Sequence, residues 1–458
     1  MQDRLNPNPV KGVMVFMAKK PVTSRRGRFF KLAGMTASVA GQYAGQRARR
    51  LFRSENDEGA QSESYTRMAG QIADTLGELK GAVMKVGQIA SQTQDFLPRE
   101  FSEALEKLQK EAPPMPFEVI VEQIESELGK PVSELFEYLQ EKPYAAASIG
   151  QVHRARLHDG TDVIVKVQYP GVDESCDSDL KQLRMTLKLG GLLKMPKESV
   201  DKLFAEIRER LKEELDYENE ARNIELFRKF HDQQPWVLIP AVIPGHSTRR
   251  VLTMELVEGD HVSKVTREQY DQDTVNLIGH RIFTLMADQL FRFQCIHGDP
   301  HAGNFAYRPD GSIIMYDFGC VKKLKPEIVE AYRNALVAAL DEDYEALDRY
   351  LIDLGARVGS QPAVDEAYYA MWRDILVVPF EQRDQPYDFA EADIHKRVAE
   401  KTSTVFKYLD YFKPPVESIF IDRMIAGHYW MLKRLGVQAA FRSELEKYLK
   451  ASETSARG

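Results

Sequence analysis

The chain has 458 residues, with 43% hydrophobic and 29% charged residues and a formal net charge of −7. That length exceeds one small core and implies two or three structural units of ordinary globular composition. The acidic balance gives no case for nucleic-acid binding. The three scattered cysteines, Cys176, Cys295 and Cys320, argue against a disulfide framework and fit a reducing, cytoplasmic compartment.

The opening stretch, Met1 to Pro9, is polar and has no apolar leader. No run in the chain approaches the ~20 apolar residues of a membrane span. From Lys11 to Arg53 there is no Asp or Glu, and two basic clusters flank an Ala-, Gly- and Met-rich stretch, Phe29 to Gly45. This segment reads equally as an amphipathic helix on an anionic bilayer, giving peripheral membrane contact, or as a solvated basic arm. Asn56 to Ser64 is polar and reads as a linker. Met68, Ile72, Leu76, Leu79, Val83 and Val86 recur at helical spacing, which predicts a helix over Arg67 to Gln94. A second helical pattern covers Phe117 to Leu128, after Pro98, Pro113, Pro114 and Pro116.

The rhythm then changes. Between Tyr144 and Gln168, short apolar runs flank His158-Asp159-Gly160, a hairpin signal, and Val163, Ile164, Val165 and Val167 mark a strand. Ser199 to His231 reads as one long charged helix. Trp236 to Val242 and Arg250 to Val257 read as short strands. From Ser263 onward the pattern is helical, apart from a strand-like patch at Ser312 to Tyr316. No internal repeat is visible.

Four motifs follow one another in a fixed order. Ala145-Ala146-Ala147-Ser148-Ile149-Gly150-Gln151-Val152 has the spacing of a glycine-rich phosphate loop, with alanines at its first two glycine positions. Small side chains there let backbone N–H groups reach phosphate oxygens. Val163-Ile164-Val165-Lys166 places a lysine in an apolar strand, where an unpaired cation is costly; a nucleotide's α/β-phosphates and a helix carboxylate are its natural partners. In His297-Gly298-Asp299-Pro300-His301-Ala302-Gly303-Asn304, Asp and Asn lie five apart, as in a kinase catalytic loop. The aspartate suits an acceptor hydroxyl or water, the asparagine a metal. Asp317-Phe318-Gly319 closes the strand-like patch 18 residues after Asp299, where a carboxylate can hold magnesium against phosphates. Between the second and third motifs, Thr253 to Gly259 reads as a strand end and hinge, whose backbone at Glu255 and Val257 would meet an adenine edge, or equally as a plain connector.

These motifs, with Lys85-Val86-Gly87-Gln88 and Glu214-Leu215-Asp216, resemble the UbiB/AarF family of atypical kinase-like proteins, linked with ubiquinone biosynthesis. The resemblance runs from about residue 65 to 340. It implies an α+β, two-lobed protein-kinase-like fold with a helical N-terminal extension over the active site. It divides the chain into a basic arm and linker (1–64), an extension carrying the K-x-G-Q motif (65–118), an N-lobe (119–254) and a helical C-lobe (255–458). By this resemblance ATP or ADP and Mg²⁺ are the cofactors. Ala145, Ala146, Ala147, Ser148, Gly150 and Val152 cover the nucleotide, Glu220 orients Lys166, Asn304 and Asp317 hold the metal, and Asp299 serves the acceptor. Lys85 and Gln88 meet Glu214 and Asp216 as a gate, and a lipid or quinone precursor is a further ligand.

The sequence departs from conventional kinases in three ways. An insertion, Pro170 to Pro196, lengthens the path from Lys166 to Glu220. The lysine that Ser/Thr kinases carry two residues after the catalytic Asp is here His301, which leaves a cation missing. A helical run begins at Pro326, leaving no room for a peptide platform. Phosphoryl transfer to protein is therefore not expected. The expected activity is an ATPase or phosphotransferase, against two alternatives: a small-molecule kinase of the aminoglycoside-phosphotransferase type, or a nucleotide-switched lipid-binding scaffold. The acceptor and the oligomeric state are not encoded in any of these motifs.

Overall fold

The computed structural model describes residues 25–52, 58–79, 101, 103–104, 114–146, 149–192, 197–413 and 415–450. The chain divides into two compact units. One is built from residues 1–126, 141–153 and 167–215, the other from 127–140, 154–166 and 216–458.

The first unit is mainly helical. Helix α1 (Arg25–Phe52) packs along α2 (Glu58–Leu79) and along a helix of the insertion, here α4 (Val172–Leu189); α3 (Phe117–Leu128) follows α2 in the chain. Leu32, Met35 and Val39 form the buried stripe of α1. Arg28 is also buried: its Nε donates to Asp179 Oδ2 at 3.0 Å and its guanidinium reaches Leu79 O. Thr36 and Thr186 share a hydrogen bond of 2.5 Å. Gly190 and Gly191 end α4 against α1, and a Cβ on either would stand 2.8 Å from Val39 Cγ1 or 2.4 Å from the Tyr43 ring.

This arrangement corrects the reading of residues 25–52 as an arm. They form a helix whose apolar stripe is covered by α4, not offered to a bilayer, although Phe29 and Phe30 remain exposed. Residues 58–64 are likewise the start of α2 and not a linker. Their lone breaker, Gly59, falls in the first turn, where amides lack helical partners anyway, and the following Ala, Gln and Glu favour helix. Residues 80–94, the remainder of that expected helix, lie outside the described residues.

The sheet next to the first motifs has strand order β1 (Tyr138–Leu139), β3 (Gly150–Arg156), β4 (Asp162–Gln168), β6 (Val251–Glu255), with β2 (Ala145–Ala146) paired to β3. The β3–β4 turn is the expected Asp-Gly hairpin: Gly160 has φ +88° and Leu157 N donates to Thr161 O.

The second unit holds the larger core. The expected long helix over 199–231 is two helices, α5 (Lys197–Glu214), which belongs to the first unit, and α6 (Tyr217–Phe230), which belongs to the second. The break has a local cause. Asp216 caps α6, accepting from Asn219 N at 2.9 Å, and Tyr217 N leaves the helical ladder for Arg249 O. The helical pattern of α5 and α6 is continuous in sequence, so periodicity alone hides the break. Strand β5 (Val237–Leu238) runs parallel to β9 (Ile313–Met315), which pairs antiparallel with β8 (Phe305–Tyr307). Strand β7 (Cys295–His297) pairs with β10 (Val321–Lys323), and helix α7 (Gln272–Ala287) leads through a π-helical turn to β7. Helices α8 (Pro326–Leu340), α9 (Tyr344–Asp353), α10 (Glu366–Leu376), α11 (Ile394–Val405), α12 (Val416–Leu435) and α13 (Arg442–Lys450) complete the unit. Helix α8 starts seven residues after Gly319, as expected from Pro326.

Candidate active site

Two short strand pairs assemble the second unit's site. In the β8–β9 hairpin Phe305 faces Met315, and Tyr316 N donates to Asn304 O at 3.0 Å, so Asn304 and Asp317 leave the same end of one ladder. In the β7–β10 pair His297 faces Val321, and Gly298 N donates to Cys320 O at 2.7 Å. The Asp299 loop and the Asp317 turn are thereby bound side by side through their backbones. Gly298 is required by this approach: a Cβ would stand 2.8 Å from Cys320 Sγ.

Phe318 is fully buried, packed between Phe227 (centroids 5.1 Å apart) and His297 (5.5 Å). Its carbonyl accepts from Asn223 Nδ2 at 2.9 Å, and His297 Nε2 donates to Asp317 O. Backbone and ring contacts thus fix the Asp317 turn, leaving the carboxylate to face outward at 43% exposure.

Lys166 Nζ lies 2.6 Å from Glu220 Oε1 and 3.3 Å from Asp317 Oδ2, with the Tyr217 ring beneath it at 5.4 Å. Burial alone would lower the Lys166 pKa, but the charges of Asp317 and Glu220 reverse this and hold it above the ordinary lysine value. Burial raises Glu220 to about 7 against the pull of Lys166, and the like charge of Asp317 adds to the rise. Burial also opposes ionisation of Asp317, but Lys166, the Gly319 N–H and His297 outweigh it and leave its pKa below the usual carboxylate range. One cation is therefore shared by two carboxylates, and the cluster carries surplus negative charge when both are ionised.

Asn304 Nδ2 donates to Asp299 O at 3.0 Å, a bond that uses the amide nitrogen and not the side-chain oxygen. An outward carboxylate and an amide oxygen are hard donors. Among the described residues no set of three His, Cys, Asp or Glu could cage an ion. This donor set fits Mg²⁺, which keeps waters and takes its remaining ligands from phosphates.

Asp299 is paired with a residue absent from every sequence motif: Arg423 Nη2, from α12, lies 3.2 Å from Asp299 Oδ1. No local pattern marked Arg423, because it is one basic residue in an amphipathic helix. Asn223 and Tyr217 were also unassigned. The first shares a face of α6 with Glu220, a signal that helical spacing does carry.

The other expected site residues are placed as follows. Glu255 ends β6 with its carboxylate turned back to Ala241 N at 3.1 Å, and Val257 O accepts from Tyr316 Oη at 2.9 Å. In the first unit, Ala145 and Ala146 form an exposed strand facing Val152 and Gln151. Gly150 is buried and has no room for a side chain, since a Cβ would stand 2.4 Å from Val167 O. Gln151 is held by Met115 N and by His153. Glu214 ends α5, and Asp216 serves as the cap described above. Lys85, Gln88, Ala147 and Ser148 lie outside the described residues, so the expected gate is not seen.

Residues 107–351, a little over half of the chain, match the ABC1 atypical kinase-like domain. The chain belongs to this family. A probable serine/threonine-protein kinase of Dictyostelium discoideum is 31% identical over 94% of this chain and 80% of its own length. The mitochondrial atypical kinase COQ8 of Saccharomyces cerevisiae is 29% identical over 90% and 82%. COQ8B of Rattus norvegicus, also mitochondrial, is 32% identical over 82% and 70%. Among solved structures, a Mycobacterium tuberculosis protein in complex with erythromycin matches with a TM-score of 0.58 and 29% identity, covering 86% of this chain and 98% of that one. The chain is thus an atypical kinase-like protein with a kinase-like fold. Among its described residues no helix is long and apolar enough to cross a membrane.

Proposed function

We propose that this chain binds ATP with Mg²⁺ and transfers the terminal phosphoryl group to water or a small acceptor, not to protein, in support of ubiquinone biosynthesis. The observation that carries this reading is the cluster of Lys166 with Glu220 at 2.6 Å and Asp317 at 3.3 Å. Lys166 would exchange Asp317 for the α/β-phosphates while keeping Glu220, and Asp317 would be released to the metal with Asn304. Mg²⁺, when bound, supplies charge neutralisation at the phosphate oxygens. Asp299 orients the acceptor. Helix α8 begins where a peptide platform would have to start, which supports a non-protein acceptor.

A lipid or quinone-precursor ligand has separate support. A cavity of about 370 Å³ in the helical part of the second unit is lined by apolar and aromatic side chains, among them Leu336, Leu351, Tyr368, Trp372 and Phe412. That volume lies within the range of small-molecule sites.

The test is Mg²⁺-dependent ATP turnover by the full chain, with and without lipid vesicles, compared with Asp317→Asn. The expected result is turnover in the wild type and its loss in the variant. Nucleotide binding without turnover under every lipid condition would instead favour a nucleotide-switched scaffold.

A further inference from the structure

Helix α12 runs alongside the segment from Gly298 to Tyr307, and its contacts follow that segment in order. A Cβ on Gly298 would meet the Phe420 ring at 3.3 Å. Arg423 Nη2 reaches Asp299 Oδ1 at 3.2 Å. Gly427 touches Pro300 so closely that a Cβ would stand 2.3 Å from Pro300 Cγ and 2.7 Å from its carbonyl oxygen. His428 packs against Phe305 with centroids 6.1 Å apart, and Tyr307 Oη donates to Met431 Sδ. Residues 420, 423, 427 and 431 are spaced as one helical face. The arginine is thus set against the loop by a rigid helix, at a distance that depends on a glycine.

The loop has no strong cation of its own. His301, at the position where a lysine would neutralise the transferring phosphate, uses Nδ1 to accept from Gly303 N at 3.0 Å. Both partners of the Arg423–Asp299 pair are partly exposed, at 31% and 50%. Pairs of that kind contribute little to stability, so fold stability does not account for this geometry.

We propose that Arg423 is a positioning residue for phosphoryl transfer: it fixes the Asp299 carboxylate and supplies, from α12, the positive charge that the loop lacks at His301. The inference rests on the phosphotransfer reading above. In that reaction the acceptor oxygen–phosphorus bond forms as the bond to the ADP oxygen breaks, and the acceptor's proton passes to Asp299. A planar guanidinium holds a carboxylate in one orientation better than an ammonium and keeps its charge at any working pH.

The experiment measures MgATP turnover by the full chain, with its melting temperature. In Arg423→Gln, kcat is expected to fall about tenfold or more, as for a misplaced reacting group, while KM for MgATP stays within about twofold and melting is unchanged. Arg423→Lys should recover part of the loss. Gly427→Ala, which keeps the arginine but forces α12 away from Pro300, should also lower kcat. An Arg423→Gln kcat within about twofold of wild type, in a protein that Asp317→Asn inactivates, overturns this inference and leaves the phosphotransfer reading intact. A loss that tracks melting temperature and that lysine does not rescue also overturns it. A wild type that turns over no MgATP overturns the reading, and the inference with it.

Discussion

Each unit buries a basic side chain against carboxylate, and two of these clusters, Arg28 with Asp179 and Lys166 with Glu220 and Asp317, are built differently. In the first unit Arg28 and Asp179 are both 2% exposed, and Asp179 also accepts from Ser175 Oγ at 2.9 Å. Charge is balanced and water is excluded, so nothing can enter without breaking the pair. In the second unit one lysine serves two carboxylates, one of them well exposed. That cluster has surplus acceptors pointing outward and a buried partner, Glu220, that can take up a proton. A closed pair joins helices; an open, over-acidic one can exchange a carboxylate for phosphates and a cation. The comparison teaches that burial of a charge does not mark a site. The mismatch of charge and the direction of the free oxygen do.

The largest expected effect separates the two clusters. Asp317→Asn or Lys166→Met should lower MgATP turnover by roughly 100-fold or more, as when preorganised charges are removed from a transition state, yet both proteins should fold, which circular dichroism would check. Arg28→Met should do the reverse. It strands Asp179 in the interior, at a cost of about 3–5 kcal/mol of stability, readable by urea unfolding. A turnover loss in Arg28→Met larger than its unfolded fraction explains would break the comparison.

A smaller effect is expected at Gly150. Its alanine variant must displace the Val167 carbonyl, costing about 1–3 kcal/mol as overpacking usually does, again by urea unfolding. The smallest is a pH effect. Glu220 has its folded pKa raised to about 7 from an ordinary value of 4.5. The folded state therefore holds more protons than the unfolded state between those values. Its contribution is full at low pH and is lost as pH rises towards 7, by on the order of 1 kcal/mol per pH unit within the window. Unfolding of wild type and Glu220→Gln between pH 5 and 8 should show this slope in the difference. No difference in slope would show that Lys166 holds Glu220 ionised throughout.

The order of strands and helices around the second unit's site could be read because it is encoded locally. A lysine in a valine-rich strand, an Asp and an Asn five apart, and Asp-Phe-Gly after an apolar run each carry their own signal. Strands as short as Cys295–His297 and Val321–Lys323 could not be read, since three residues give no period to detect. The break between α5 and α6 was hidden because a capping aspartate looks like any charged residue of a charged helix.

Sequence by itself determined the family resemblance, the chemistry of the candidate loop residues and the early start of the helix at Pro326, because contiguous motifs fix backbone type and side-chain chemistry together. Tertiary structure alone decided that the basic segment over 25–52 docks on the insertion helix, and that the cation missing beside Asp299 comes from α12. These pairs join residues 151 and 124 positions apart. A lone charged side chain on an amphipathic helix has the same local pattern whether it meets water or a distant partner, and only packing tells the two apart.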